Sequence, residues 1–170
     1  MAALEGELPA VYLHPGESHL ARTPAIIRTI LGSCVGVTFW SRKLRIGALC
    51  HAQLPKCPSS HPTRTVGHRY VDFAIRDFVR QFGELGVPRS ELEVKLFGGG
   101  DVLVVSDPAS LTVGRMNCEM AIHVVKAESL NVVAWSLGGT SGLTIQFHTS
   151  TGDVLLRRLN PMVSEDIVEK

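Results

Sequence analysis

The run Thr29-Ile30-Leu31-Gly32-Ser33-Cys34 and the pair Cys50-His51 are the segments of this chain whose residue types suit covalent chemistry. A glycine ahead of Ser33-Cys34 lets the backbone turn tightly. That can leave the thiol at a sheet edge and the N–H groups around Gly32 and Ser33 free to bind an oxyanion. An ordinary thiol, with a pKa of about 8.5, is a poor nucleophile at neutral pH. His51 can assist if residues 35–40 and 46–54 form an antiparallel hairpin, because the start of one strand then lies beside the end of the other. An imidazolium there is expected to lower the Cys34 pKa, with no helix dipole to help because Cys34 enters a strand. The imidazole needs an orienting group, and the Thr29 hydroxyl, on a neighbouring strand, is the nearest candidate. The same Cys and His are more often a small buried thiol and a satisfied strand histidine, and spacing alone does not separate the two readings.

The elements that must position these residues follow from apolar periodicity. Residues 10–13, 26–31, 35–40 and 46–54 read as strands, separated by Pro15-Gly16, Thr23-Pro24 and the basic run 41–45. Residues 56–67, with prolines and a Ser/Thr/His cluster, read as a mobile surface loop. Val71, Ile75, Phe78, Val79 and Phe82 recur at helical spacing before Gly83, Gly86 and Pro88. A strand at 92–97, the turn Gly98-Gly99-Gly100 and a second helix over about 115–128 follow, with Cys118, Ala121, Ile122 and Val125 on its apolar stripe. Strands at 132–137, 143–147 and 154–159 complete a single α+β domain over residues 1–160, with helices outside packed sheets. Residues 161–170 are expected to fray.

Composition narrows the function classes. Seventeen Lys+Arg against sixteen Asp+Glu give a net charge of +1, too small a footprint for binding nucleic acid or an anionic membrane surface. No apolar stretch is long enough to span a bilayer, so no membrane insertion is expected. The N-terminal residues lack the basic and apolar segments of a signal peptide, which points to a cytoplasmic protein with four free thiols at Cys34, Cys50, Cys57 and Cys118.

Other clusters are weaker. Cys50, Cys57, His61 and His68 fit no zinc spacing, and Cys50 and His51 point to opposite strand faces, so no metal is expected and His61 and His68 read as loop residues. Gly98-Gly99-Gly100-Asp101 lacks the Gly-Lys-Ser/Thr of a phosphate loop and reads as a turn needing positive φ. The run 41–45 is a solvated hairpin turn, or else a basic patch near the site that meets acidic residues of a partner helix.

Thr-x-Leu-Gly-Ser-Cys-Val-Gly-Val at 29–37, Ile46 to His51 and Leu54-Pro55 resemble the CheD family of chemoreceptor glutamine deamidases. The likeness continues through His14-Pro15-Gly16-Glu17, Arg69-Tyr70-Val71-Asp72, Lys95 to Gly99, Gly114-Arg115-Met116-Asn117 and Leu137-Gly138-Gly139. The resemblance implies two stacked mixed sheets with helices outside, in an α/β/β/α-like layering. It implies Cys34 as nucleophile, His51 as base and Thr29 as third member, with Gly32 and Ser33 supporting the oxyanion, and no cofactor. It implies deamidation of glutamines on the cytoplasmic helices of a chemoreceptor, and a CheC-type phosphatase as a partner. A non-catalytic or weakly catalytic binding module that regulates that phosphatase is the alternative. Two departures stand out. Some members have one more residue between the threonine and the cysteine, and the family usually carries an Arg where this chain has Leu143.

Overall fold

Strand alternation sorts this chain into layers. In β3 (Ile26–Leu31), Ile27, Thr29 and Leu31 are buried while Arg28 and Ile30 face water, as a one-sided strand requires. In β4 (Val35–Ser41) and β5 (Ile46–Ala52) every residue is buried, so these strands are covered on both faces. A computed structural model describes residues 7–160, except 59, 61, 104–106 and 108, and shows why. A five-stranded sheet, ordered β2-β5-β4-β6-β7, lies between the helices and a four-stranded sheet ordered β1-β3-β8-β9. The remaining strands are β1 (Ala10–Tyr12), β2 (Ser18–Ala21), β6 (Leu92–Gly98), β7 (Asn131–Leu137), β8 (Leu143–His148) and β9 (Val154–Arg158). Both sheets are mixed: β1–β3 and β6–β7 pair in parallel and the other neighbours antiparallel.

Two apolar layers result. Val35, Val37, Phe39, Ala48 and Cys50 pack under α2 (Val71–Glu84) and α3 (Val113–Ala127). Ile27, Leu31, Trp40, Leu49, Phe97, Ile145 and Phe147 fill the space between the sheets. The expected stack of two mixed sheets with helices outside is present. Both long helices cover the five-stranded sheet, and the outer face of the other sheet, with Ile30 and Leu155, meets water.

The hairpin β4–β5 is antiparallel in the expected register, with Gly36 opposite His51. Gly98 and Gly99 adopt φ +93° and +65°, the left-handed turn expected of them. Several elements differ from the sequence reading. β2 is an additional edge strand, held by pairing with β5 from Ser18↔Cys50 to Ala21↔Gly47. Arg64–Gly67 closes one helical turn, α1, inside the expected loop, capped by the Thr63 hydroxyl on the Val66 N–H. A 3-10 turn spans Arg89–Glu91. α3 starts at Val113 because the Thr112 side chain caps the Arg115 N–H, and its buried face is Gly114, Asn117, Ala121, Val124 and Val125. Ile122, expected on that stripe, is exposed. The tail 161–170 and His61 lie outside the described residues.

His68 is the clearest reversal, being buried where a solvated loop was expected. It lies edge-on to Phe73 and Phe78, and its Nε2–H donates to Asp77 Oδ2 at 2.7 Å. Arg64, Arg80 and Gln81 also donate to the Asp77 carboxylate. Burial alone would raise the Asp77 pKa, yet these hydrogen bonds, His68 first, outweigh it and hold the carboxyl below its usual range. Asp77 therefore ties α1 to α2. Asp77→Ala, which leaves the buried His68 N–H without an acceptor, is expected to cost about 2–4 kcal/mol in urea unfolding. Arg42→Ala, which removes an exposed pair with Glu93, is expected to cost under about 1 kcal/mol in the same measurement.

Candidate active site

The inward faces of β3 and β5 oppose each other across the inter-sheet layer, and there Thr29 meets His51. Both side chains are buried, and Thr29 Oγ1 lies 2.7 Å from His51 Nδ1. Thr29 Oγ1 also donates to the Leu13 carbonyl at 2.8 Å. A hydroxyl has one proton, and a carbonyl can only accept. The Thr29 proton is therefore spent on Leu13, so His51 must donate through Nδ1–H and keep its lone pair on Nε2. Thr29 thus reaches the imidazole from the facing sheet, not from a neighbouring strand as the sequence predicts.

Backbone pairing fixes the imidazole's base. The His51 N–H donates to the Glu17 carbonyl at 2.9 Å, and the His51 carbonyl accepts from the Gly16 N–H at 2.7 Å. Gly36, opposite His51 in β4, has no room for a side chain: a Cβ would come within 2.9 Å of Leu31 Cδ1. Burial pushes the His51 pKa down to about 4, against the Leu13 carbonyl and Glu17, which favour the cation, and with His14, which opposes it.

Cys34 stands one residue before β4, at the same end of the hairpin as His51. It packs half-buried against the inter-sheet cluster. Its backbone is clamped on both sides. The Cys34 carbonyl accepts from the Gly99 N–H at 2.8 Å, and the Gly32 carbonyl from the Gly100 N–H at 2.9 Å. The Ser33 carbonyl accepts from Asn117 Nδ2 at 2.9 Å. Among the described residues, neither the Ser33 nor the Cys34 N–H has a backbone acceptor, and the thiol makes no hydrogen bond. Burial raises the Cys34 pKa. The expected imidazolium and lowered thiol pKa are thus corrected: both shifts run toward the neutral form, a thiol at Cys34 and an imidazole at His51, because burial disfavours either charge.

The other thiols lie elsewhere. Cys50 faces the helices, opposite to His51, and burial pushes it up to about 12. The Cys118 thiol donates to the Gly99 carbonyl at 3.5 Å, and the Cys57 N–H donates to Asp72. The basic run 41–45 forms the turn at the far end of the hairpin from Cys34, about 20 Å away along a strand of seven residues. It is therefore not a rim of this site. Leu143, where the resemblance implies an Arg, is buried opposite Leu31 between the sheets. Among the described residues, no three His, Cys, Asp or Glu side chains gather as a metal site. The sequence assigns no site role to the Leu13 carbonyl, the Gly99 N–H or Asn117. Only Asn117 had a signal, as a polar residue four positions from Ala121 on the buried face of a helix.

A family model described as CheD chemotactic sensory transduction matches residues 53–158. The probable chemoreceptor glutamine deamidase CheD 2 of Geobacter sulfurreducens is 44% identical over 162 residues, covering 94% of this chain and 96% of that protein. The probable chemoreceptor glutamine deamidase CheD of Maridesulfovibrio salexigens is 36% identical over 162 residues, covering 91% and 95%. That of Thermococcus kodakarensis is 36% identical over 146 residues, covering 85% and 90%. No described helix is long and apolar enough to cross a membrane. By a family match over more than half its length and by relatives aligned almost end to end, the chain belongs to the CheD family.

Proposed function

We propose that this protein deamidates glutamine side chains on the cytoplasmic helices of a chemoreceptor, with Cys34 as nucleophile, His51 as base and Thr29 as the group that orients it. The observation that carries the reading is the chain of hydrogen bonds from His51 Nδ1–H through Thr29 to the Leu13 carbonyl, which leaves His51 Nε2 a bare base at the end of the hairpin where Cys34 sits. The relatives' names support the substrate class.

In the first half, Cys34 Sγ attacks the carboxamide carbon as its proton passes to His51 Nε2. The Ser33 and Cys34 N–H groups donate to the oxyanion. The C–N bond breaks, His51 returns its proton to the leaving nitrogen, and ammonia departs from a thioester. In the second half, water attacks the thioester carbon and gives a proton to His51. The C–S bond then breaks, Sγ recovers the proton, and glutamate is released. No step requires a metal or redox partner. Because the product is a carboxylate that can be methyl-esterified, the reaction serves receptor adaptation, and the resemblance adds a CheC-type phosphatase as the regulatory partner.

A neutral resting pair changes what pH does. Protonating His51 removes the base only as pH falls through about 4, so neutral pH leaves it competent. The thiolate, by contrast, accumulates only above the ordinary thiol range, because burial raises the Cys34 pKa. Iodoacetamide alkylation of Cys34, followed by peptide mass spectrometry, is expected to rise with pH beyond about 8.5 without a plateau at pH 5–7. A plateau there would mean a preformed thiolate–imidazolium pair.

The function itself is tested by incubating the protein with a receptor cytoplasmic fragment and reading Gln-to-Glu conversion by mass spectrometry. Wild type is expected to convert specific glutamines, Cys34→Ala none, and His51→Ala at a kcat lower by roughly 10²–10⁴. Thr29→Val is expected to lower kcat by roughly a hundredfold, less than the roughly 10⁴ lost with a triad's orienting carboxylate, because a hydroxyl is a neutral acceptor. Equal absence of conversion by wild type and Cys34→Ala across receptors would overturn the deamidase reading.

A further inference from the structure

Asn117 is a fully buried polar residue on the helix face that packs against the five-stranded sheet. Its Nδ2 donates to two carbonyls, Ser33 O and Gln53 O, each at 2.9 Å. Ser33 precedes Cys34, and Gln53 lies two residues beyond His51, so one amide group joins the turn that bears the thiol to the strand end that bears the imidazole. Both partners are acceptors, which fixes the amide's orientation: a flip would set Oδ1 against two carbonyl oxygens. Among the described residues, Oδ1 is buried without a partner. A side chain kept at that cost, with both its donors committed to the site's backbone, calls for a role beyond filling space.

The role follows from peptide geometry. The bond between Ser33 and Cys34 is trans, as are all those described. In a planar trans peptide the C=O and the following N–H point in opposite directions. Holding the Ser33 carbonyl toward α3 therefore turns the Cys34 N–H away from α3, where it has no backbone acceptor among the described residues. The next peptide is fixed independently, by the Gly99 N–H on the Cys34 carbonyl.

We infer that Asn117 is a positioning residue that preorganises the oxyanion site, by anchoring the Ser33 carbonyl so that the Cys34 N–H faces the reacting carbonyl. The inference rests on Cys34 being the nucleophile, and its test does not need the receptor. Acyl transfer to Cys34 from p-nitrophenyl acetate passes through an oxyanion, whereas alkylation by iodoacetamide displaces iodide and forms none. Asn117→Asp keeps the shape and replaces the two donors with acceptors. It is expected to slow acetylation of Cys34, mapped by peptide mass spectrometry, by roughly 10²–10³, the range for loss of an oxyanion donor. Alkylation of Cys34 should change less than about threefold. Asn117→Ala and Asn117→Ser accompany it, and Asn117→Ser, which retains one donor, should recover part of the acetylation rate.

The inference is overturned if a folded variant acetylates at the wild-type rate. It is also overturned if the two rates fall together, since Asn117 would then act on the thiol or on His51. Failure of all three variants to fold would assign the residue to the fold alone and likewise overturn it. Failure of the deamidase reading is a separate result, seen as wild-type protein that converts no receptor glutamine while the acetylation contrast persists.

Discussion

The Thr29 hydroxyl owns one proton, and its commitment to the Leu13 carbonyl decides how the rest of the site is built. With that proton spent, the hydroxyl can only accept from His51, and the imidazole has one tautomer available. The arrangement depends on two backbones from different places in the chain. β1 is three residues long, yet it runs parallel to β3 with Tyr12 opposite Arg28, and its continuation carries Leu13 to Thr29. Leu13 grips β3 twice, through its N–H to the Arg28 carbonyl at 2.9 Å and its carbonyl to the Thr29 hydroxyl. A strand too short to hold itself is thus held by the site it completes.

The second condition is dryness. Thr29, His51 and Leu31 lie in a layer walled by Leu49, Phe97 and Ile145, where an isolated charge is costly. Burial lowers the His51 pKa and raises that of Cys34, so the pair rests uncharged. In the proposed reaction an imidazole in this setting would borrow a proton only briefly, and the charge that forms during attack would be met by backbone N–H groups and by the Thr29 oxygen, which are already in place.

Much of this was legible in the chain and some was not. The alternation of 35–40, the hairpin to 46–54 and the positive-φ turn at Gly98-Gly99 are local patterns, and the structure keeps them. Alternation also says that Thr29 shares a face with Ile27 and Leu31, but not which sheet that face meets. β2 escaped notice because Ser18-His19-Leu20-Ala21 has too little apolar content to signal an edge strand, and its pairing with β5 is long-range. The burial of His68 is not legible locally, because its acceptor, Asp77, and its aromatic neighbours come from a helix that folds back over it. Apolarity alone places the stripe of α3 toward Ile122, whereas the helix buries Gly114 and Asn117 for close approach and hydrogen bonding. The pattern proposed for catalysis is legible only through the resemblance to a family, since a cysteine and a histidine at this spacing carry little information alone.

The inward aim of Thr29 also governs how sequence length can vary beside it. Successive side chains of β3 face opposite ways, so a residue added within the strand between Thr29 and Leu31 would turn the threonine out to the side of Arg28 and Ile30, away from His51. A relative with one more residue between its threonine and cysteine would have to take up the extra residue after the strand, in the turn that corresponds to Gly32-Ser33, or as a bulge that restores the parity. Insertions in this stretch are therefore sorted by whether they are odd or even, and only the turn tolerates both.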